Sequence, residues 1–92
     1  MRLDLFLSKT GLVKRRPIAK ALCDANKVQR GGKPLKAGDE VRMGDKLRIH
    51  YGVRIVEAEV LDLPGGNVAK NQRESFYQIL GEQREDILEA GD

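Results

Sequence analysis

Hydrophobic residues early in the chain repeat at helical spacing. Leu3, Phe6 and Leu7 stand at i, i+3 and i+4 within residues 2–8, which predicts a short helix that Gly11 breaks. A second helix is predicted over residues 16–25. Pro17 suits its opening turn, where a missing N–H costs nothing, and Ile18, Leu22 and Ala25 follow at i, i+4 and i+7. Asn26 tolerates the left-handed conformation that ends helices. Beyond Val28 the period drops from helical to two. Leu47, Ile49 and Tyr51 alternate with Lys46, Arg48 and His50, and Val56, Ala58 and Val60 alternate with Glu57 and Glu59. Gly31-Gly32 marks a tight turn after Val28-Gln29-Arg30. Lys33-Pro34 leads into a loop that runs to a second turn at Gly44-Asp45. Pro64-Gly65-Gly66-Asn67 reads as another loop, 75–80 as a short apolar run and 82–90 as an acidic helix. The order predicts an α+β fold: two short N-terminal helices packed on a small antiparallel sheet, with an acidic C-terminal tail. Residues 1–62 form the predicted domain, and 63–92 its loop and tail.

Composition narrows the function. The chain has 92 residues, of which 40% are hydrophobic and only 4% aromatic, so its core is thin and aliphatic. That size leaves little scaffold to wall off an enzyme pocket. No stretch approaches the ~20 apolar residues of a membrane span. The opening segment has no apolar run long enough for a secretory signal, which points to a soluble cytoplasmic protein. Cys23 is the sole cysteine, which excludes an internal disulfide and a cysteine metal cluster. It reads as a small core hydrophobe. His50 has no partner at ligand spacing and reads as an exposed strand residue, and Gly65-Gly66 lacks the strand and helix of a phosphate loop. Catalytic residues, metal and cofactor are expected to be absent.

Charge is the strongest signal. Residues 1–54 carry fourteen Lys and Arg against five Asp and Glu, a net +9; residues 55–92 carry three against nine, a net −6. A basic body of this kind suits a polyanion, and an acidic tail that RNA repels is either a solvated end or a protein contact. Lys14, Arg15 and Arg16 are consecutive, flanked by Lys9 and Lys20. Arg15 and Arg16 fall at the positive end of the second predicted helix, where free N–H groups and the dipole favour phosphate. Lys20 lies four residues after Arg16, on the same helical face. Asp4 has two readings: it holds a nearby arginine, or it stabilises the first helix's N-terminus. Phe76 and Tyr77 either pack the tail on the sheet or stack on a base.

Arg2-Leu3-Asp4 with Phe6-Leu7, Arg16 with Ala19-Lys20, then Val28, Gly32, Lys36, Val41 and Gly44-Asp45 before Leu47 together resemble the alpha-L RNA-binding domain, named from the fourth protein of the small ribosomal subunit. The resemblance covers about residues 1–52. It implies binding of structured RNA through the two helices and the adjoining turn, by Arg2, Lys14, Arg15, Arg16, Lys20, Lys33 and Lys36; the charge cluster adds Lys9 as a candidate, and Arg30 is one if it faces outward. Asn26 replaces the family's usual glycine. Arg30-Gly31-Gly32 stands where an apolar residue and Asn-Gly are common, so Arg30 either faces outward or the hairpin is reshaped. Among stand-alone members, the start at Arg2-Leu3-Asp4, the run 12–16 and Tyr77-Gln78-Ile79-Leu80 look most like the small factors of bacterial ribosome-associated quality control. That resemblance implies a monomer that binds large-subunit rRNA and tRNA on the stalled large ribosomal subunit. It also implies a quality-control protein partner that directs template-free alanine addition. Three alternatives stay open: a heat-shock-type recycling factor of free large subunits, the RNA-targeting subunit of an RNA-modifying enzyme, and a protein-interaction module acting through the acidic tail.

Overall fold

The computed structural model describes residues 1–66 and 68–84. Helix α1 spans Leu3–Thr10 and α2 Arg16–Asp24; strands β1 Val28–Arg30, β2 Lys33–Pro34, β3 Lys46–Tyr51 and β4 Arg54–Val60 come next, then a 3₁₀ helix, Lys70–Phe76, and β5, Tyr77–Arg84. The five strands form one open antiparallel sheet in the order β2-β1-β3-β4-β5.

Local chemistry accounts for most boundaries. Leu3, Phe6 and Leu7 are fully buried, as the helical spacing predicts. Gly11 closes α1 at φ 78°, its N–H donating to the Ser8 carbonyl at 3.2 Å. Asn26, at φ 60°, is the only non-glycine with positive φ among the described residues, and it turns the chain from α2 into β1. Gly31 and Gly32, at φ 60° and 80°, join Arg30 to Lys33 in the tight hairpin that suits two left-handed residues.

Three sequence expectations change. Lys33-Pro34 pairs with β1 as a two-residue strand before the loop begins. The fully buried positions of α2 are Ala19 and Cys23, with Leu22 partly buried beside them, so Leu22 keeps its expected place against the core while Ile18 and Ala25 do not. Two small side chains there let α2 approach the core closely, and Ile18 is left 44% exposed. Finally, 77–84 adds a fifth strand along β4, so Glu82–Arg84 continue a strand where a helix was expected. Residues 85–92, which carry the rest of the acidic tail, lie outside the described residues.

Opposed pairs Leu47–Ala58 and Ile49–Val56 point to the same face of the sheet. Together with Leu3, Phe6, Leu7, Val13, Cys23, Val28 and Val41, Leu47 and Ile49 build the core between helices and sheet. The loop after β2 is tied to the start of α1. Leu3 N–H donates to Asp39 O at 2.8 Å, Asp4 N–H to Ala37 O at 3.1 Å, and Val41 N–H to Met1 O at 2.8 Å. These bonds fix Arg2 and Asp4 beside the Lys36 loop and satisfy donors that a helix start leaves open.

Candidate nucleic-acid interface

Asp4 organises the site. It sits in the first turn of α1 with its side chain only 3% exposed. Arg2 donates from Nε to Oδ1 at 3.2 Å and from Nη2 to Oδ2 at 3.4 Å; Arg16 donates from Nε to Oδ2 at 3.2 Å. The Leu5 N–H adds a bond to Oδ1 at 2.8 Å. Burial disfavours the charged carboxylate, but hydrogen bonds from Arg16 and Arg2, the Arg16 charge and the Leu5 N–H outweigh it, so the carboxyl titrates below its ordinary range. One acid thus holds two guanidinium groups, where the sequence pointed to one.

Both arginines remain accessible, with side chains 55% and 49% exposed. Each guanidinium has five N–H donors, and Asp4 occupies one or two of them. Arg2, Asp4, Arg16, Pro17 and Lys20 line one shallow cavity of about 370 Å³. Arg15 caps α2 in extended conformation, and its side chain, like that of Arg16 beside it, is exposed. No side chain caps the first turn of α2, whose Arg16 and Pro17 border the cavity. Lys36 is exposed on the loop tied to the start of α1, and a Cβ at Gly38 in that loop would lie 3.9 Å from Arg2 Cζ.

The other candidate cations are distributed differently. Lys9 Nζ donates to the Gly66 carbonyl at 2.9 Å, fastening α1 to a loop 57 residues away. Arg30 pairs with Asp45 at 2.8 Å and donates to Glu40 O at 3.0 Å, so it braces the turn before β3. Lys33 is exposed on the β1–β2 hairpin, and Lys14 lines a second groove with Tyr51 and Arg54. Sequence reasoning passed over Arg54, since its only local signal is its place shortly after the Gly52 turn.

Cys23 is fully buried in the core. Burial, then the charges of Asp4, Asp24 and Asp39, push its thiol up to about 11. Among the described residues, no group of three His, Cys, Asp or Glu gathers to hold a metal, and no helix is long and apolar enough to cross a membrane.

The family model of the S4 domain matches residues 1–47, just over half of the chain. The chain therefore belongs to the S4-domain family, whose matched segment contains both helices and the whole Asp4 cluster. Within it, the chain belongs to the family of RQC P-site tRNA stabilizing factors, the RqcP type. The factor of that name from Listeria innocua is 38% identical over 86 residues, spanning 94% of this chain and 92% of the relative. Its counterpart in Bacillus subtilis is 34% identical over 84 residues, spanning 91% and 96%. Heat Shock Protein 15 of Vibrio cholerae, solved as a trimer, superposes with a TM-score of 0.78 over 86% of this chain and 80% of its own. At 19% identity that likeness establishes the shared fold alone.

Proposed function

We propose that this chain is a non-enzymatic RNA-binding factor of the stalled large ribosomal subunit, which contacts large-subunit rRNA and tRNA and supports template-free alanine addition to the nascent chain. It acts in the cytoplasm beside a quality-control protein partner. The observation that carries this reading is the pair of half-exposed arginines, Arg2 and Arg16, held on one buried aspartate beside Lys20. Structured RNA is recognised through its shape, phosphates and 2′-hydroxyls, which calls for cations fixed in space. A forked guanidinium whose Nε is already anchored meets that need better than a free lysine. Kinship with proteins described as P-site tRNA stabilizing factors supplies the ribosomal setting.

In this reading Arg2, Arg15, Arg16, Lys20 and Lys36 make the main RNA contact, and residues 1–62 are the RNA-binding unit. Sedimentation of tagged protein through a gradient tests it. The protein is expected to travel with large subunits that carry peptidyl-tRNA, and Arg16→Glu to remain at the top while still folded. Co-sedimentation of a folded Arg16→Glu protein equal to that of the parent refutes the site.

A further inference from the structure

A second groove lies between the α1–α2 linker and the β4–β5 edge of the sheet. It is a cavity of about 380 Å³ bordered by Lys14, Tyr51, Arg54, Tyr77, Ile79 and Glu82. Its strand-borne residues lie beyond residue 47, so the part of the sheet past the S4 match builds one wall of this groove, and Gly11, Leu12 and Lys14 of the linker build the other. The register explains why they meet. Tyr51 opposes Arg54, Val56 opposes Glu82, and Val60 opposes Tyr77, which aligns them on the core side of the sheet. The tyrosine rings are half-buried, while Ile79 is left 47% exposed beside them. Tyr51 is pinned, its hydroxyl donating to the Leu12 carbonyl at 3.3 Å.

We propose that this groove takes an unstacked nucleotide of single-stranded RNA, its base against Tyr51 and Tyr77 and its phosphate against Lys14 and Arg54. The inference rests on the RNA-binding reading above and adds a second, strand-built contact to it. Aromatic faces rimmed by cations accept any base, because every base has a π-face, and charge at the rim holds the backbone. Glu82 does not spoil the site. Its bond from Arg54 Nη2, 2.6 Å long, joins two exposed side chains and leaves the other guanidinium donors for a phosphate. Lys14 also directly precedes Arg15 and Arg16 in the chain, so the groove's cation belongs to the same basic run.

The chain offers its own probe. It has no tryptophan and two tyrosines, both of them in this groove. Titration with a six-nucleotide oligoadenylate at low salt is expected to quench tyrosine emission saturably. The surface variant Lys14→Glu/Arg54→Glu and the packing-conservative Tyr77→Leu are each expected to weaken that binding by about tenfold. Circular dichroism checks that each variant is folded. Arg16→Glu is expected to lose large subunits in the gradient, a readout that reports on the Asp4 site. Absence of quenching in the parent protein, or equal affinity in folded groove variants, overturns the groove and leaves the Asp4 site standing. Failure of the Asp4 site shows separately, as retained subunit binding by Arg16→Glu.

Discussion

Asp4 and Arg16, twelve positions apart, are joined by a 3.2 Å bond from Arg16 Nε to Asp4 Oδ2 that ties the first turn of α1 to the start of α2. Because Arg2 reaches the same carboxylate, the spacing of both guanidinium groups depends on one buried acid. Asp4→Asn keeps the shape and removes the charge. It is expected to lower RNA affinity by more than Lys20→Ala does. Its stability cost should be only about 1 kcal/mol, since water screens two half-exposed partners. Comparing affinities of Asp4→Asn, Arg16→Lys and the double variant checks this. Strictly additive losses would show that the acid does not position the arginine.

The same carboxylate gives stability a pH dependence. Its folded titration lies below its ordinary value of 3.8, so its contribution is complete above that pH and disappears as pH falls through the folded value. Urea unfolding of the parent and Asp4→Asn should therefore differ at pH 7 and converge in strong acid. A gap that stays constant across that range would exclude the linkage.

Salt dependence separates the RNA-facing lysines from the internal ones. Lys20→Ala is expected to reduce the slope of log affinity against log salt by about one, as each lost phosphate contact does. Lys9→Ala is expected to leave that slope unchanged, because its ammonium group is engaged with the Gly66 carbonyl. Equal slopes for the parent and Lys20→Ala would remove Lys20 from the contact set.

Gly11 has a left-handed φ of 78°, and a Cβ there would lie 3.2 Å from Arg73 Cδ. Gly11→Ala is expected to cost about 1–3 kcal/mol from the backbone alone. Thermal unfolding measures it. An unchanged melting temperature would mean that α1 can end in another way.

Cys23, fully buried and with its thiol raised to about 11, should resist alkylation in the native protein at pH 8 and react once urea unfolds the chain. Rapid native labelling would indicate that α2 opens away from the core.

The helices were legible because punctuation and periodicity agree there: Leu3, Phe6 and Leu7 end at Gly11, and Pro17 opens what Asn26 closes. Which face α2 buries was legible only in part, through Leu22. Ile18 carries the stronger hydropathy, yet the tight approach favours Ala19 and Cys23, and only tertiary packing reveals that. β5 escaped notice for another reason. Gln78, Gly81 and Gln83 interrupt its apolar residues, and an edge strand with nearly every position exposed has no alternation to read. In the basic cluster, residue type indicated cations but not their engagements. Arg30 and Arg16 look alike in sequence, and one braces a turn on Asp45 while the other faces solvent from Asp4.

The S4 match stops at Leu47, the second residue of β3, and the outer neighbour of that strand, β4, comes entirely from residues beyond the match. Anyone transplanting this module onto another protein must therefore carry the cut point past Val60, the end of β4. A graft trimmed at the family boundary would keep two of the six residues of β3 and take from the core Ile49, Ala58 and Val60.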